Sequence, residues 1–238
     1  MGEKKYNRVL LKISGEALAG DAKLGINDEV LKEISKNIKA VADLGVQVAI
    51  VVGGGNFWRG LKNGEGHMER SKADHMGMLA TVMNALAVSD RMEQQGMSVK
   101  VMTSVAMTTF ADVYTRRDAV AALENGTVVI FGGGTGNPFF STDTAAALRA
   151  CEIGADAILL AKNVDGVYTA DPRTDPTAVK YDSVPYAEVL EKHLNVMDMT
   201  ATSLAMDNKI PAVVFPLADP ENIVRAVLGE NVGTTVTL

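Results

Sequence analysis

Three short segments carry the residue types that handle phosphate. They are Lys12-Ile13-Ser14-Gly15-Glu16, Gly53-Gly54-Gly55-Asn56-Phe57-Trp58-Arg59-Gly60 and Gly132-Gly133-Gly134-Thr135-Gly136-Asn137-Pro138, and each follows a run of apolar residues. Glycines let backbone N–H groups approach an anion closely, and the N-terminus of a following helix adds a favourable dipole. One such turn means little, because turns use glycine anyway. Three of them behind apolar runs predict a site for an anionic, multiply phosphorylated ligand. Lys12 and Arg59 are placed to add full positive charge. Lys12 lies near the end of an otherwise apolar run, where a charge is costly without a partner. A phosphate contact is therefore favoured there over a lysine snorkelling to water from an edge strand. Arg59 reads equally as a phosphate clamp or an exposed loop arginine, and Trp58 fits a packing anchor equally well.

The familiar nucleotide fingerprints do not complete. Gly15 and Gly20 have the spacing of a P-loop, but Asp21-Ala22 follows where Lys-Ser/Thr is needed. Gly53-x-Gly55 leads to Trp58 and Gly134-x-Gly136 to Phe139, so neither makes GxGxxG. His67, His75 and His193 form no zinc pattern. The single cysteine, Cys151, excludes an intramolecular disulfide and reads as a packed thiol at a helix end.

The elements that must position these loops alternate along the chain. Apolar runs at 8–13, 47–52, 99–102, 128–131, 157–161 and 212–215 read as buried strands, with 234–237 as an edge strand. Helical periods fill 27–44, 71–95, 118–125, 142–153, 197–208 and 220–228. Asn27 suits an N-cap, and Gly45 and Gly96 close the helices before them. Strands that are continuous apolar runs, separated by helices, predict an α/β fold: a three-layer αβα sandwich with a mainly parallel central sheet of about eight strands. Ligands in such sheets sit beyond the carboxyl ends of the strands, where the glycine loops fall. The chain is expected to form one domain over 1–238 with two functional lobes.

Composition narrows the class. The 238 residues are 47% hydrophobic, with Lys+Arg 23 against Asp+Glu 29 and a formal net charge of −6. That length supports a core without disulfides or a structural metal. The acidic balance argues against general nucleic-acid or membrane-surface binding. No signal peptide or membrane-length apolar run stands out, so a cytoplasmic protein is expected.

Longer motifs then carry a resemblance. Lys12-Ile13-Ser14-Gly15-Glu16-Ala17-Leu18, Val51 to Gly60, the run Asp74-His75-Met76-Gly77-Met78-Leu79-Ala80-Thr81-Val82-Met83-Asn84, Gly134 to Asp143 and Val164-Asp165-Gly166-Val167-Tyr168-Thr169-Ala170-Asp171-Pro172 occur in that order. Together they resemble the bacterial UMP kinases of the amino-acid-kinase family over essentially the whole chain. The resemblance implies phosphoryl transfer from MgATP to UMP, a homohexamer, and UTP and GTP as effectors. It implies Lys12, Arg59 and Asp143 as catalytic residues, with Mg2+ carried by ATP and no metal ligands assigned. Lys12, Ile13, Ser14, Gly15, Gly55, Arg59, Asn163, Tyr168 and Asp171 would bind ATP, and Lys162 would reach its phosphates. Gly54, Asp74, Thr135, Gly136, Asn137, Pro138, Phe139, Phe140, Ser141 and Thr142 would bind UMP. Bland readings stand beside three of these carboxylates. Asp74 completes a capping box with Ser71, Asp143 suits a helix N-terminus, and Asp198, also motif-like, suits an N-cap. Met76, Met78 and Met83 read as helix core. A related kinase acting on a carboxylate, carbamate or isopentenyl phosphate, or a uridine-nucleotide sensor, are the rival readings.

Overall fold

The computed structural model describes residues 3–22, 24–58 and 68–238. Nine strands form one sheet: β1 (Arg8–Ile13), β2 (Gln47–Val52), β3 (Val99–Thr103), β4 (Asp112–Val113), β5 (Val128–Gly132), β6 (Ala157–Lys162), β7 (Ser183–Pro185), β8 (Ala212–Pro216) and β9 (Thr234–Thr237). Their spatial order is β4-β3-β5-β2-β1-β6-β8-β9-β7. Every pairing is parallel except β8 with β9. The described helices are α1 (Gly15–Leu18), α2 (Asp28–Asp43), α3 (Arg70–Gln94), α4 (Arg116–Glu124), α5 (Thr142–Ile153), α6 (Tyr186–Glu191), α7 (Met199–Asp207) and α8 (Asn222–Val227).

Strand alternation sorts the core into two layers. Leu10, Val51, Phe131, Leu160 and Val214 pack on one face with Ala146 and Ala150 of α5 and Ala201 and Ala205 of α7. Val9, Leu11, Ile13, Ile50, Ile130, Leu159 and Phe215 pack on the other with Ile34 and Ile38 of α2, Val88 and Met92 of α3, and Ile223 of α8. Both faces are covered, as continuous apolar strands require. Lys12 shares the parity of Leu10, so β1 presents it to the α5 side of the sheet.

The helix ends follow local chemistry. Asn27 caps α2 by accepting from the Glu29 and Val30 N–H groups at 3.0 and 3.2 Å. Gly45 and Gly96 close α2 and α3 at φ +73° and +79°, the left-handed region that glycine enters without a Cβ clash.

Three expectations change. The 234–237 segment is not an edge strand: β9 lies between β8 and β7. The missed strand β7, outside it, has three residues, too few to show a period. Nor does α3 begin with a capping box at Ser71. Its N-cap is Glu69, with no side-chain cap, and Asp74 points elsewhere. Finally, Met76 and Met83 are exposed by 38% and 51%, because α3 buries the face bearing Ala73, Ala80, Ala85, Val88 and Met92 instead.

Candidate active site

The first two glycine loops leave adjacent parallel strands and touch backbone to backbone. The Gly53 N–H donates to the Ile13 carbonyl at 2.9 Å. A Cβ on Gly15 would stand 2.6 Å from the Gly53 carbonyl oxygen and 2.7 Å from Asn56 Oδ1. Glycine is thus required by close approach, not only by turn geometry. Beneath this junction Asn56 and Asn84 are buried and exchange amide hydrogen bonds of 3.0 and 2.7 Å. Asn84 also donates to the Gly53 carbonyl at 2.6 Å, and Asn56 to the Gly25 carbonyl at 2.7 Å. The pair locks the second loop to α3. Ser14 stands at the N-cap of α1, with its hydroxyl making no cap bond. The Ile13 side chain lies fully in the core, so at the cleft it offers backbone only.

Lys12 leaves β1 on the opposite face and meets Asp143 in the first turn of α5, Nζ to Oδ1, at 2.7 Å. Lys162, at the end of β6, approaches the other carboxylate oxygen at 3.6 Å and donates to the Val196 carbonyl. These side chains are only 10%, 16% and 18% exposed for Lys12, Asp143 and Lys162. Burial pushes the Asp143 carboxyl upward, but Lys12 and then Lys162 overcome that and hold it below the ordinary carboxylate range. Burial lowers the Lys162 ammonium from its usual value; Asp143 pulls the other way and the Lys12 charge adds to the lowering. The helix-terminus reading of Asp143 is therefore incomplete, because its carboxylate joins two buried cations.

A cleft opens beside this cluster. Gly54, Trp58, Asp74, Gly77, Met78, Thr81, Gly134, Thr135, Asn137, Phe140 and Thr142 line it. Asp74 accepts from Arg70 at 2.8 Å and from the Phe139 N–H at 2.8 Å, tying α3 to the third glycine loop. Phe139 has φ 73° and lies 67% exposed under the Arg70 guanidinium, 5.2 Å from its ring centre. Thr135 accepts from the Asn137 N–H at 3.2 Å, which curls the loop on itself. Ser141 caps α5 by accepting from the Asp143 and Thr144 N–H groups and donates to Asp198. Asp198 also accepts from Thr144 Oγ1 at 3.0 Å and caps α7 through the Ala201 N–H at 2.9 Å. Gly136 packs on Ser104. Pro138 is half-buried in the same loop.

A family model described as the amino acid kinase family matches residues 7–216. The chain belongs to the amino acid kinase family. A uridylate kinase from Limosilactobacillus reuteri is 57% identical over 237 residues, 99% of both chains. The crystal structure of UMP kinase from Bacillus anthracis superposes with TM-score 0.94 at 42% identity, covering 98% of this chain and 96% of that one. UMP kinase from Ureaplasma parvum gives TM-score 0.93 at 34% identity, covering 98% and 100%.

In this amino acid kinase the remaining described site residues have surroundings of their own. Asn163 is exposed just after Lys162. Tyr168 is half-buried and donates to both Asp165 carboxylate oxygens at 3.0 and 3.1 Å. Asp171 is exposed and held by Arg173 at 2.8 Å, which brings its carboxyl down to about 2. Among the described residues, Tyr168 pairs with Asp165 and Asp171 with Arg173, and no hydrogen bond or ion pair joins either to Lys12. Gly55 sits half-buried at the mouth of its loop. Arg59 lies outside the described residues.

Several cleft residues were not foreseen. Met78 lines the cleft rather than the helix core, and Gly77 and Thr81 lie on the same α3 face. Their i, i+1 and i+4 spacing from 77 was the available signal, masked by the apolar character of the whole helix. Trp58 does both jobs: it lines the cleft and donates to the Ala73 carbonyl at 2.8 Å.

Proposed function

We propose that this chain is a UMP kinase that transfers the γ-phosphoryl group of MgATP in line to UMP, giving ADP and UDP. One observation carries the reading. Lys12 stands two residues before the Ser14-Gly15 turn and pairs with Asp143, the neighbour of the cleft-lining Thr142, so this pair ties a cation next to the first glycine loop to a carboxylate next to the cleft. The whole-chain kinship to a uridylate kinase supplies the acceptor's identity.

Phosphoryl transfer asks a protein for alignment and charge neutralisation more than covalent chemistry. On this reading Lys12 follows the transferring group and its bridging oxygen. Backbone N–H groups at Ser14, Gly15 and Gly55 hold donor phosphates, and Ile13 contributes main chain only. Arg59, with a planar fork suited to two oxygens, spans donor and acceptor. Asn163, Tyr168 and Asp171 form the adenosine side, Tyr168 by stacking. Gly54 lets UMP approach α3, and Asp74 takes the ribose hydroxyls. The run from Thr135 to Thr142 surrounds uracil and ribose. The acceptor phosphate is already a nucleophile, so no phospho-enzyme forms.

Magnesium fits as cargo of ATP. Asp143, paired with Lys12 and Lys162 and next to Thr142 of the cleft, is the carboxylate that would meet such an ion. Mg2+ suits a site of one or two carboxylates plus substrate phosphates. When bound it neutralises phosphate charge.

The proposal extends to one domain of two lobes sharing the sheet, working in the cytoplasm where ATP is supplied. No helix among the described residues is long and apolar enough to cross a membrane. Self-association is supported by Met76, Leu79 and Met83, exposed at helical spacing on α3, and the homohexamer rests on the sequence resemblance. Control by UTP and GTP rests on the sequence resemblance.

A coupled ADP-release assay over UMP, CMP, other nucleoside monophosphates and carboxylate acceptors tests the reading, with and without UTP and GTP. UMP should be the preferred acceptor, since a site that hydrogen-bonds a base edge rejects mismatched edges strongly. Turnover with a carboxylate and none with UMP would end it. Binding of UMP and ATP without turnover would favour a nucleotide sensor.

A further inference from the structure

Arg149 is 5% exposed, sits on α5 less than two turns beyond Asp143, and has no part in the chemistry above. Its guanidinium carbon lies over Tyr114, 3.7 Å from the ring centre, and Tyr114 meets Phe131 edge-on at 5.4 Å and 88°. One arm of the fork pairs with Glu152, which also accepts from the Tyr114 hydroxyl at 2.6 Å. The other arm donates to Ser104 Oγ at 3.1 Å. Ser104 in turn donates to the Gly134 carbonyl at 2.6 Å.

That last bond lands in the third glycine loop. Gly133, Gly134 and Gly136 have φ of +81°, +58° and +81°. Such a run has little conformational restraint of its own, because glycine loses more freedom on ordering than any other residue. The loop leans on Ser104: a Cβ on Gly136 would stand 3.1 Å from Ser104 Cβ, and one on Gly133 3.3 Å from the Ser104 nitrogen. Ser104 accepts from a charged donor while donating onward, an arrangement in which each bond polarises the next.

We infer that Arg149 is a positioning residue for the acceptor: through Ser104 it fixes the Gly134 carbonyl, and so the loop that lines the cleft at Gly134, Thr135 and Asn137. The inference rests on the proposed acceptor reading of that cleft. Lysine cannot replace Arg149, because a single ammonium group on a flexible stem cannot serve Glu152 and Ser104 as a planar fork does. A purely structural buried ion pair behaves differently: removing one partner lowers stability, with no preference between substrates.

The test measures UMP affinity by calorimetry without ATP, the KM for each substrate, and melting temperature. It uses the wild type, Ser104→Ala, Arg149→Lys, Arg149→Met and the double variant Ser104→Ala/Arg149→Lys. Losing a hydrogen bond to a charged or relayed donor should weaken UMP about tenfold in each single variant. The KM for ATP should stay within about twofold, and the double variant should be no worse than the poorer single one. Losses that multiply in the double variant, or that fall equally on both substrates in step with melting temperature, overturn the relay. Wild-type protein that binds no UMP refutes the acceptor reading itself; wild-type binding with unshifted single variants refutes the relay alone.

Discussion

Replacing Asp143 with Asn keeps the side chain's shape and removes the charge that two buried lysines share. The contacts at 2.7 Å to Lys12 and 3.6 Å to Lys162 correspond to gross attractions of about 6 and 5 kcal/mol at an effective dielectric near 20. Desolvation of the carboxylate opposes them, and breaking one partner of a buried pair costs about 3–5 kcal/mol net. The lysines keep 10% and 18% exposure, so water relieves part of the loss, and about 3 kcal/mol is expected. For a chain of this size that is a fall in Tm of about 6–12 °C. Inorganic tripolyphosphate should restore more stability to Asp143→Asn than it adds to the wild type, since an anion then replaces the missing carboxylate. The pH dependence has a definite sign. Asp143 is held below the ordinary value near 3.8, so its contribution is complete above that value and is lost as pH falls below it. The gap between variant and wild type should therefore stay flat from about pH 5 to 8 and close only in acid. Scanning fluorimetry over pH, with and without tripolyphosphate, reads all three effects. A Tm within about 2 °C of wild type at pH 7, or equal stabilisation of both proteins by the anion, would refute the reasoning.

Lys12→Ala should lower kcat about 100- to 1,000-fold while UMP affinity moves by a few fold, because the contact strengthens in the transition state; steady-state kinetics with a wild-type kcat would reject that role. Gly15→Ala places a Cβ 2.6 Å from the Gly53 carbonyl, so the first two loops must part and KM for ATP should rise about tenfold; an unchanged KM would mean the junction yields freely. Lys162 is lowered from 10.5 mainly by burial, so the unfolded chain binds more protons between its lowered value and 10.5 and stability gains as pH rises through that window. The difference in Tm between wild type and Lys162→Met, followed from pH 8 to 10.5, should carry that slope, and a flat difference would contradict it.

The strands that built the reading were legible because they are long. Arg8–Ile13, Gln47–Val52 and Ala157–Lys162 are each six residues with four or five of them apolar. Two-residue β4 and three-residue β7 are held by neighbours rather than by their own pattern, so nothing local announced them. In the site, Lys12, Gly15, Gly54, Asp74 and Asp143 were legible because a charge or a glycine stood at a strand end or in a helix where propensity alone did not ask for it. Met78 and Thr81 were not, because a cleft-facing residue on α3 and a core-facing one have the same chemistry. Arg149 and Ser104 were not either, since their partnership spans 45 positions and exists only once β3, β5 and α5 are packed.

Period-two alternation in β1 explains why these parts can act together. Leu11 and Ile13 face the layer of α2, α3 and α8, while Leu10 and Lys12 face the layer of α5 and α7. Moving the lysine by one position would turn its charge into the apolar layer that holds Ile34 and Ile38. At position 12 it faces the first turn of α5, whose Asp143 both satisfies the helix terminus and holds the ammonium at the edge of the cleft. Asp143 then keeps Lys12 and Lys162 close together despite their repulsion. That explains how a chain of net charge −6 concentrates cations at one point: a carboxylate on α5 holds them together.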